Sequence, residues 1–421
     1  MWERSRYRQP TRQRDGGPAT DTAEVGHRAR TIRRRRGLSL EVAAGLAGIS
    51  TSYLSRLERG ERSIERRGLL DELAAALGCA VVDLTGQPYL PTDRDSADAA
   101  ASLPAIIMVV YDSELDEPPD MPTRPVSELA HLVAEANSYL DAARFSLAVR
   151  QMGAVLAELH VHAAAGSTAV LAALPEACMV ATATARHVGR PELAVQTARR
   201  GYDAARRLGD PALGGQLAVQ LALGLSWLGA RRRVGTVLGD AIADLEQLAD
   251  PTATDTTPAE VAGVLHLTAA WHYAQQQGRA VEVEAHLPPA ADLAEHTGER
   301  NTLHMHFGPA HVATWGLEVE VELGRGLAAV ERISREVPHL LGVLGSANRQ
   351  CVLHFDLARA YAQDGGDRDG EALRHLDVAD RIAPQGVHNV PVARELLAAL
   401  NRRARRRVWE LDSLLNRFGM N

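Results

Sequence analysis

The chain contains no lysine; all 46 of its basic residues are arginine, a bias that reflects a GC-rich genome rather than a demand for guanidinium groups. Cysteine is nearly absent. Cys79, Cys178 and Cys351 lie far apart with no CxxC spacing, which excludes a disulfide scaffold and fits a reducing compartment. Long apolar runs are missing too: the longest, such as residues 217–230, fall short of the ~20 residues that cross a bilayer. Residues 1–14 carry Arg4, Arg6, Arg8, Arg12 and Arg14, but no apolar stretch follows, so no signal peptide is read. HExxH, GxSxG, the P-loop and GxGxxG are all absent. The expectation is a soluble, cytoplasmic protein that is not an enzyme and needs no cofactor.

The 421 residues, 46% of them hydrophobic, suffice for two or three domains with sizeable cores. Charge is distributed unevenly. Residues 1–86 hold 16 arginines against 11 acids, while the remainder holds 30 against 42. A basic head on an acidic body points to a head that meets a polyanion.

Residues 1–20 lack periodicity and read as a disordered basic tail. From Asp21 the pattern turns helical, with Val25, Ala29 and Ile32 on one stripe, and Gly37 ends this helix. Ser39 is placed as the N-cap of a second helix, residues 40–47, with Val42, Ala43 and Leu46 as its inner face. Gly48 closes it and Ser50 caps a third helix, where Ile49 and Leu54 form a hydrophobic staple. Tyr53, Leu54 and Leu57 are expected inside. Ser52, Ser55, Arg56 and Arg59 recur at i, i+3, i+4 and i+7 and share the exposed face. Short hydroxyls there can approach base edges, and arginines can reach guanine or phosphate. A fourth helix is expected from Ser63 to Gly78, and a short turn at residues 81–84 completes a five-helix unit.

The segment GLSLEVAAGLAGISTSYLSRLERGERS, residues 37–63, resembles the XRE/Cro–C1 helix-turn-helix family of bacterial and phage regulators. The resemblance spans residues 21–86 and implies a lambda-repressor-like DNA-binding domain, with residues 51–59 entering the major groove. It implies that Thr51, Ser52, Ser55 and Arg56 face bases and that Arg33, Arg59 and Arg62 meet phosphates. The capping residues Ser39 and Ser50 are counted with the DNA contacts, and Glu58 is assigned a structural ion pair with a first-helix arginine. Leu40 stands where members often place Gln.

Residues 87–126 read as a linker with one apolar helix at about 99–111. Residues 127–421 look helical throughout. Helix-ending glycines at 189, 229, 278, 324 and 365 are spaced 40, 49, 46 and 41 residues apart. Asp210-Pro211 and Asp250-Pro251 repeat at 40. Such periods mark stacked helix pairs. Leu357, Ala358 and Tyr361 followed by Ala372, Leu376, Ala379 and Pro384 resemble the tetratricopeptide pattern, as do Ala198, Tyr202 and Ala205 before Pro211. The fold class expected is therefore all-α, a helix-turn-helix head followed by a tetratricopeptide-like α-solenoid. LTGQPY, ARRLGDPAL, GVLHLTAA and FGPAHVA are similar to actinobacterial regulators of this architecture. The chain resembles, more distantly, the peptide-sensing regulators of Gram-positive bacteria.

The scarce aromatics cluster on repeat helices. Trp227, Trp271, Phe307 and Trp315, with His266, His304 and His311, are the candidate effector contacts of a concave pocket; the alternative is that they fill gaps between helices. His304 and His311 would share a helix face while His306 points away, and no Cys or carboxylate completes a set, so no metal is expected. The function expected is a homodimeric transcriptional regulator that reads a double-stranded DNA operator, an inverted repeat, and responds to a small-molecule or peptide effector, without a membrane. The alternative is a protein-interaction scaffold, or an antitoxin-like module, whose helix-turn-helix only targets it.

Overall fold

A computed structural model describes residues 24–420; the basic segment 1–20 lies outside them. Every regular element among the described residues is helical. The head comprises α1 (Glu24–Arg35), α2 (Leu40–Leu46), α3 (Thr51–Glu58), α4 (Arg67–Leu77) and α5 (Val81–Thr85). Then come α6 (Arg94–Asp112), α7 (Val126–Asp141), α8 (Phe145–Val149) and α9 (Met152–Ala164). Five helical hairpins follow. They pair α10 (Thr168–His187) with α11 (Pro191–Leu208), α12 (Pro211–Trp227) with α13 (Arg231–Leu245), and α14 (Thr257–Ala274) with α15 (Ala280–Thr297). The fourth pairs α16 (Pro309–Glu322) with α17 (Gly326–Ile333); after α18 (Val337–Val343), the fifth pairs α19 (Ala347–Ala362) with α20 (Asp369–Ile382). Short α21 (Pro384–His388), α22 (Pro391–Arg403) and α23 (Trp409–Arg417) come last.

The head folds around Leu54, Leu57, Leu70, Leu73 and Leu77, all fully buried. Two expectations about it fail. On α2 the buried stripe is Ala43, Ala44 and Ala47, whereas Val42 and Leu46 are 50% and 63% exposed. The alanines let α2 lie close to α3 and α4, and the branched side chains are turned outward. Helix α4 starts at Arg67, not Ser63. Ser63 is buried in the preceding turn, where its carbonyl accepts from the Tyr53 hydroxyl at 2.9 Å and its own hydroxyl accepts from Arg402.

The five repeat glycines all sit at positive φ just after a helix, as their spacing predicts. Asp210 caps α12, accepting from the Leu213 amide at 3.0 Å. Asp250 does not cap a helix: it forms a turn with Thr252, and α14 begins seven residues later at Thr257. The apolar segment 99–111 lies inside α6, which packs on α8 and α9.

Helices α10, α12, α14, α16 and α19 form an inner row, each in contact with the next. Packed between their own partners and their neighbours, α10, α12 and α14 are apolar nearly all round, whereas α16 and α19 carry charged residues among their apolar ones. Two hairpins carry the same aromatic clasp. In one, His266 faces His286 with Nδ1 atoms 2.9 Å apart, Tyr273 stacks on His286, and Arg279 lies over Tyr273. In the other, His354, His375, Tyr361 and Arg368 repeat the arrangement, with the same 2.9 Å separation.

The solenoid curls until its ends share one core. Val133, Leu159 and Val180 belong to the same apolar cluster as Leu376, Leu397 and Leu414. The Asn389 side chain donates to the His187 carbonyl at 2.8 Å, and Gln385 donates to Asp95 at 2.9 Å.

Burial first, and neighbouring positive charge second, push the imidazoles of His266, His272 and His375 down to about 4. Each is neutral in the fold and gains a proton on unfolding once the pH drops below the usual imidazole value of about 6.5. Unfolding therefore takes up protons, and stability rises with pH across this window. Thermal melts should show Tm constant above about pH 7 and falling steadily toward pH 4.

Candidate nucleic-acid interface and central cavity

Helix α3 is set by its caps. Ser50 accepts from the Tyr53 amide at 3.1 Å, and Ser39 does the same for α2 from the Val42 amide at 3.2 Å. Both serines are exposed at the helix starts. Along α3, Ser52 and Arg59 are exposed and Thr51, Ser55 and Arg56 half-buried, so the polar face foreseen from spacing is a single continuous surface. Arg59 is held by Glu61 at 2.6 and 2.8 Å, and Arg62 stays exposed, 3.8 Å from Glu65.

Arg33 does not belong to that surface. It is turned inward, donating to both oxygens of Glu58 at 2.5 and 2.8 Å and to the Leu38 carbonyl at 2.9 Å. With both partners buried, the pair ties α1 to the end of α3, which gives Glu58 the structural role expected of it and withdraws Arg33 from phosphate contact.

The head is docked on the body through α4 and the turn before it. A Cβ on Gly68 would overlap the Gln275 carbonyl, so only glycine permits this approach. Arg231 donates to the Gly68 carbonyl at 2.7 Å, and the Ile64 amide donates to Glu395 at 3.0 Å. Arg67, the first residue of α4, projects into the body: it donates to the Ser226 carbonyl at 3.0 Å and lies 4.6 Å over the Trp227 ring. Its amide donates to Glu322, whose other oxygen accepts from buried Arg359.

Arg67 thereby forms part of the wall of a central cavity of about 220 Å³ enclosed by the inner row. Trp227, Trp271, His304 and Trp315 line this cavity, with Trp271 and Trp315 edge to face at 6.2 Å. The other three candidate effector residues do not. His266 is occupied in the clasp with His286. Phe307 is fully buried against Gly263, where a Cβ would overlap the ring. His311 is fully buried and accepts from Trp315 Nε1 at 2.6 Å; burial keeps this imidazole neutral, so its proton is on Nδ1 and its role is to orient the tryptophan.

The chain from Asn301 to Gly308 is not the helix that a shared His304–His311 face requires. Leu303, His304 and His306 all adopt positive φ, and α16 begins only at Pro309. His306 reaches Asp141 of α7 at 2.7 Å. Burial opposes ionisation of Asp141, but the facing rings of His304 and His306 outweigh it and hold the carboxyl below the usual range. No group of three or more metal-ligating side chains occurs among the described residues.

Residues 24–85 match the family described as helix-turn-helix domain. The head is a helix-turn-helix domain. The chain is accordingly a DNA-binding regulator, with a helical solenoid as its body. No curated protein sequence matches it. Among solved structures it is similar to the apo form of the competence regulator ComR from Streptococcus vestibularis, at 12% identity and a TM-score of 0.35, over 87% of this chain and 93% of that one. No helix among the described residues is long and apolar enough to cross a membrane.

Sequence reasoning missed the charged part of the cavity wall: Arg186, Glu318, Arg349 and Arg359 beside Arg67. The available signal was charge on repeat helices that are otherwise rich in apolar residues. The helix-turn-helix domain also offers a stability test. Glu58→Ala leaves Arg33 buried without its counter-charge and should lower the unfolding free energy by about 3–5 kcal/mol, seen as a lower urea midpoint.

Proposed function

We propose that the chain is a ligand-responsive transcriptional regulator that acts as a homodimer on an inverted-repeat operator. The observation that supports this reading is the position of Arg67, which belongs to the helix-turn-helix domain yet forms wall in the cavity of the solenoid. A ligand entering the cavity meets a residue of the DNA-binding head directly. It also meets Arg359, which shares Glu322 with the Arg67 backbone. An effector that favours one arrangement of this cluster shifts the population of head orientations, and with it the distance between the two heads of a dimer. Half-sites one helical turn apart, or a multiple of it, suit such a pair.

Thr51, Ser52, Ser55 and Arg56 are the base-facing set in this reading, with Arg59 and Arg62 on phosphate. Selection from random duplexes with the full-length protein should enrich an inverted repeat. Ser52→Ala with Arg56→Ala should weaken binding by about 1–3 kcal/mol per lost base contact and leave the melting curve unchanged. Enrichment without sequence preference, lost as salt rises, would instead mean that charge alone holds the head to DNA.

The anchoring role of Arg67 is tested separately. In Arg67→Ala, hydrogen exchange should quicken at residues 60–70 and near Trp227 while α20 keeps its protection. Unchanged exchange at those residues would remove the link between cavity and head.

A further inference from the structure

The cavity contains two kinds of arginine. Two are held by several contacts: Arg359 is ion-paired to Glu322 and to Asp356, the latter at 3.1 Å, while Arg67, whose guanidinium has no carboxylate at that distance, donates to the Ser226 carbonyl, lies over Trp227 and gives its amide to Glu322. Arg186 of α10 and Arg349 of α19 differ. Among the described residues no carboxylate lies within 4.0 Å of either guanidinium. Among the described residues Arg186 has no hydrogen-bond partner, and its Nε is sealed from solvent. Arg349 has a single contact, to the Met305 carbonyl at 3.3 Å. Burial and then the charge of Arg349 depress the Arg186 guanidinium to about 10, so the two cations feel each other. Asp141 and Glu318 act on them only from a distance. Asp141 is taken by His306, and burial raises the Glu318 carboxyl to about 7, so it is a partial counter-charge at best near neutral pH.

Two guanidiniums lining one cavity with no carboxylate at ion-pair distance are costly. Their planar forks match the oxygens of a carboxylate or a phosphate. The wall carries three tryptophans, Trp227, Trp271 and Trp315, beside polar and charged side chains, and three further acceptors in it, Asn137 Oδ1, Gln220 Oε1 and Asn348 Oδ1, are sealed from solvent and unpartnered among the described residues. Leu303, His304 and His306 all adopt left-handed backbone, and His304 and His306 line the same space. Left-handed backbone at three non-glycine residues is uncommon and is concentrated at ligand clamps.

We propose that the effector is a small organic anion whose carboxylate or phosphate is held between Arg186 and Arg349, with its apolar body against the tryptophan-lined wall. The proposal rests on the reading of the cavity as the effector site and adds the chemical class. The volume suits a compact acid with one ring or a short chain, and the three acceptors call for a hydroxyl or amino group on it.

The test uses the full-length protein with phenylacetate, phenyl phosphate and neutral phenylacetamide as probes, followed by calorimetry and thermal shift. At least one of the two anions should bind and raise Tm, and the difference between them tells carboxylate from phosphate. The amide should not. Arg186→Met and Arg349→Met should each weaken anion binding at least about tenfold. Arg186→Met should also melt higher than the wild type without ligand, because it removes a half-buried charge that has no ion-pair partner among the described residues. Equal binding of amide and acids, anion binding unaffected by both substitutions, or failure of both anions to raise the wild-type Tm each overturns the proposal. Operator affinity, measured alongside, separates it from the broader reading. Anion binding that leaves operator affinity unchanged keeps the site and overturns the switch. An operator response to the neutral amide alone keeps the switch and overturns the anion.

Discussion

The guanidinium of Arg67 is almost completely removed from water and has no carboxylate of its own at ion-pair distance, only a carbonyl, a tryptophan face and the nearby acids of the cavity. Burial makes such a charge expensive, so its surroundings must be held in place for it to be tolerated. Glu322, Arg359 and Asp356 supply that rigidity from two inner helices, and Gly68 lets the backbone of α4 approach α14 closely enough for Arg67 to reach them. The orientation of the DNA-binding head thus depends on a polar cluster inside the body. A head attached only by a flexible linker would have no contact with the cavity; this one contributes a residue to its wall.

Much of the head was legible from local rules. Ser39 and Ser50 cap where a hydroxyl before an apolar period should cap, and Glu58 finds an α1 arginine. Periodicity failed on α2 because Ala, Val and Leu all count as apolar. Which of them goes inside was decided by how close α3 and α4 come, and that distance is tertiary. The same ambiguity placed Arg33 on phosphate: an arginine in a basic run looks exposed until a buried carboxylate lies 25 residues away in sequence and adjacent in space.

In the body, glycine spacing gave the hairpins because positive φ is a local requirement. The cavity was half visible. Tryptophans stand out in a chain poor in aromatics, and three of them line it. Arg186 and Arg349 did not stand out among 46 arginines, since their distinction is a missing partner, which no single-sequence pattern encodes. The histidine clasp was readable in principle: His266, Tyr273, Arg279 and His286 recur as His354, Tyr361, Arg368 and His375, at nearly the same spacing. It went unseen because the period covers two hairpins rather than one.

The closure of the solenoid on itself changes the kind of object it is. An open array of repeats is a one-dimensional chain, each unit stabilised by its neighbours alone, able to fray at either end and to lose a terminal unit without much harm to the rest. Here α7, α9 and α10 share a core with α20, α22 and α23, so neither end is terminal in space. In such a body the loss of any one repeat opens the shared core, and the whole should melt together. Evolution can lengthen an open solenoid by duplicating a unit, but adding one hairpin to a closed ring alters its circumference and every contact across the middle. The number of repeats is therefore set by the width of the cavity they enclose.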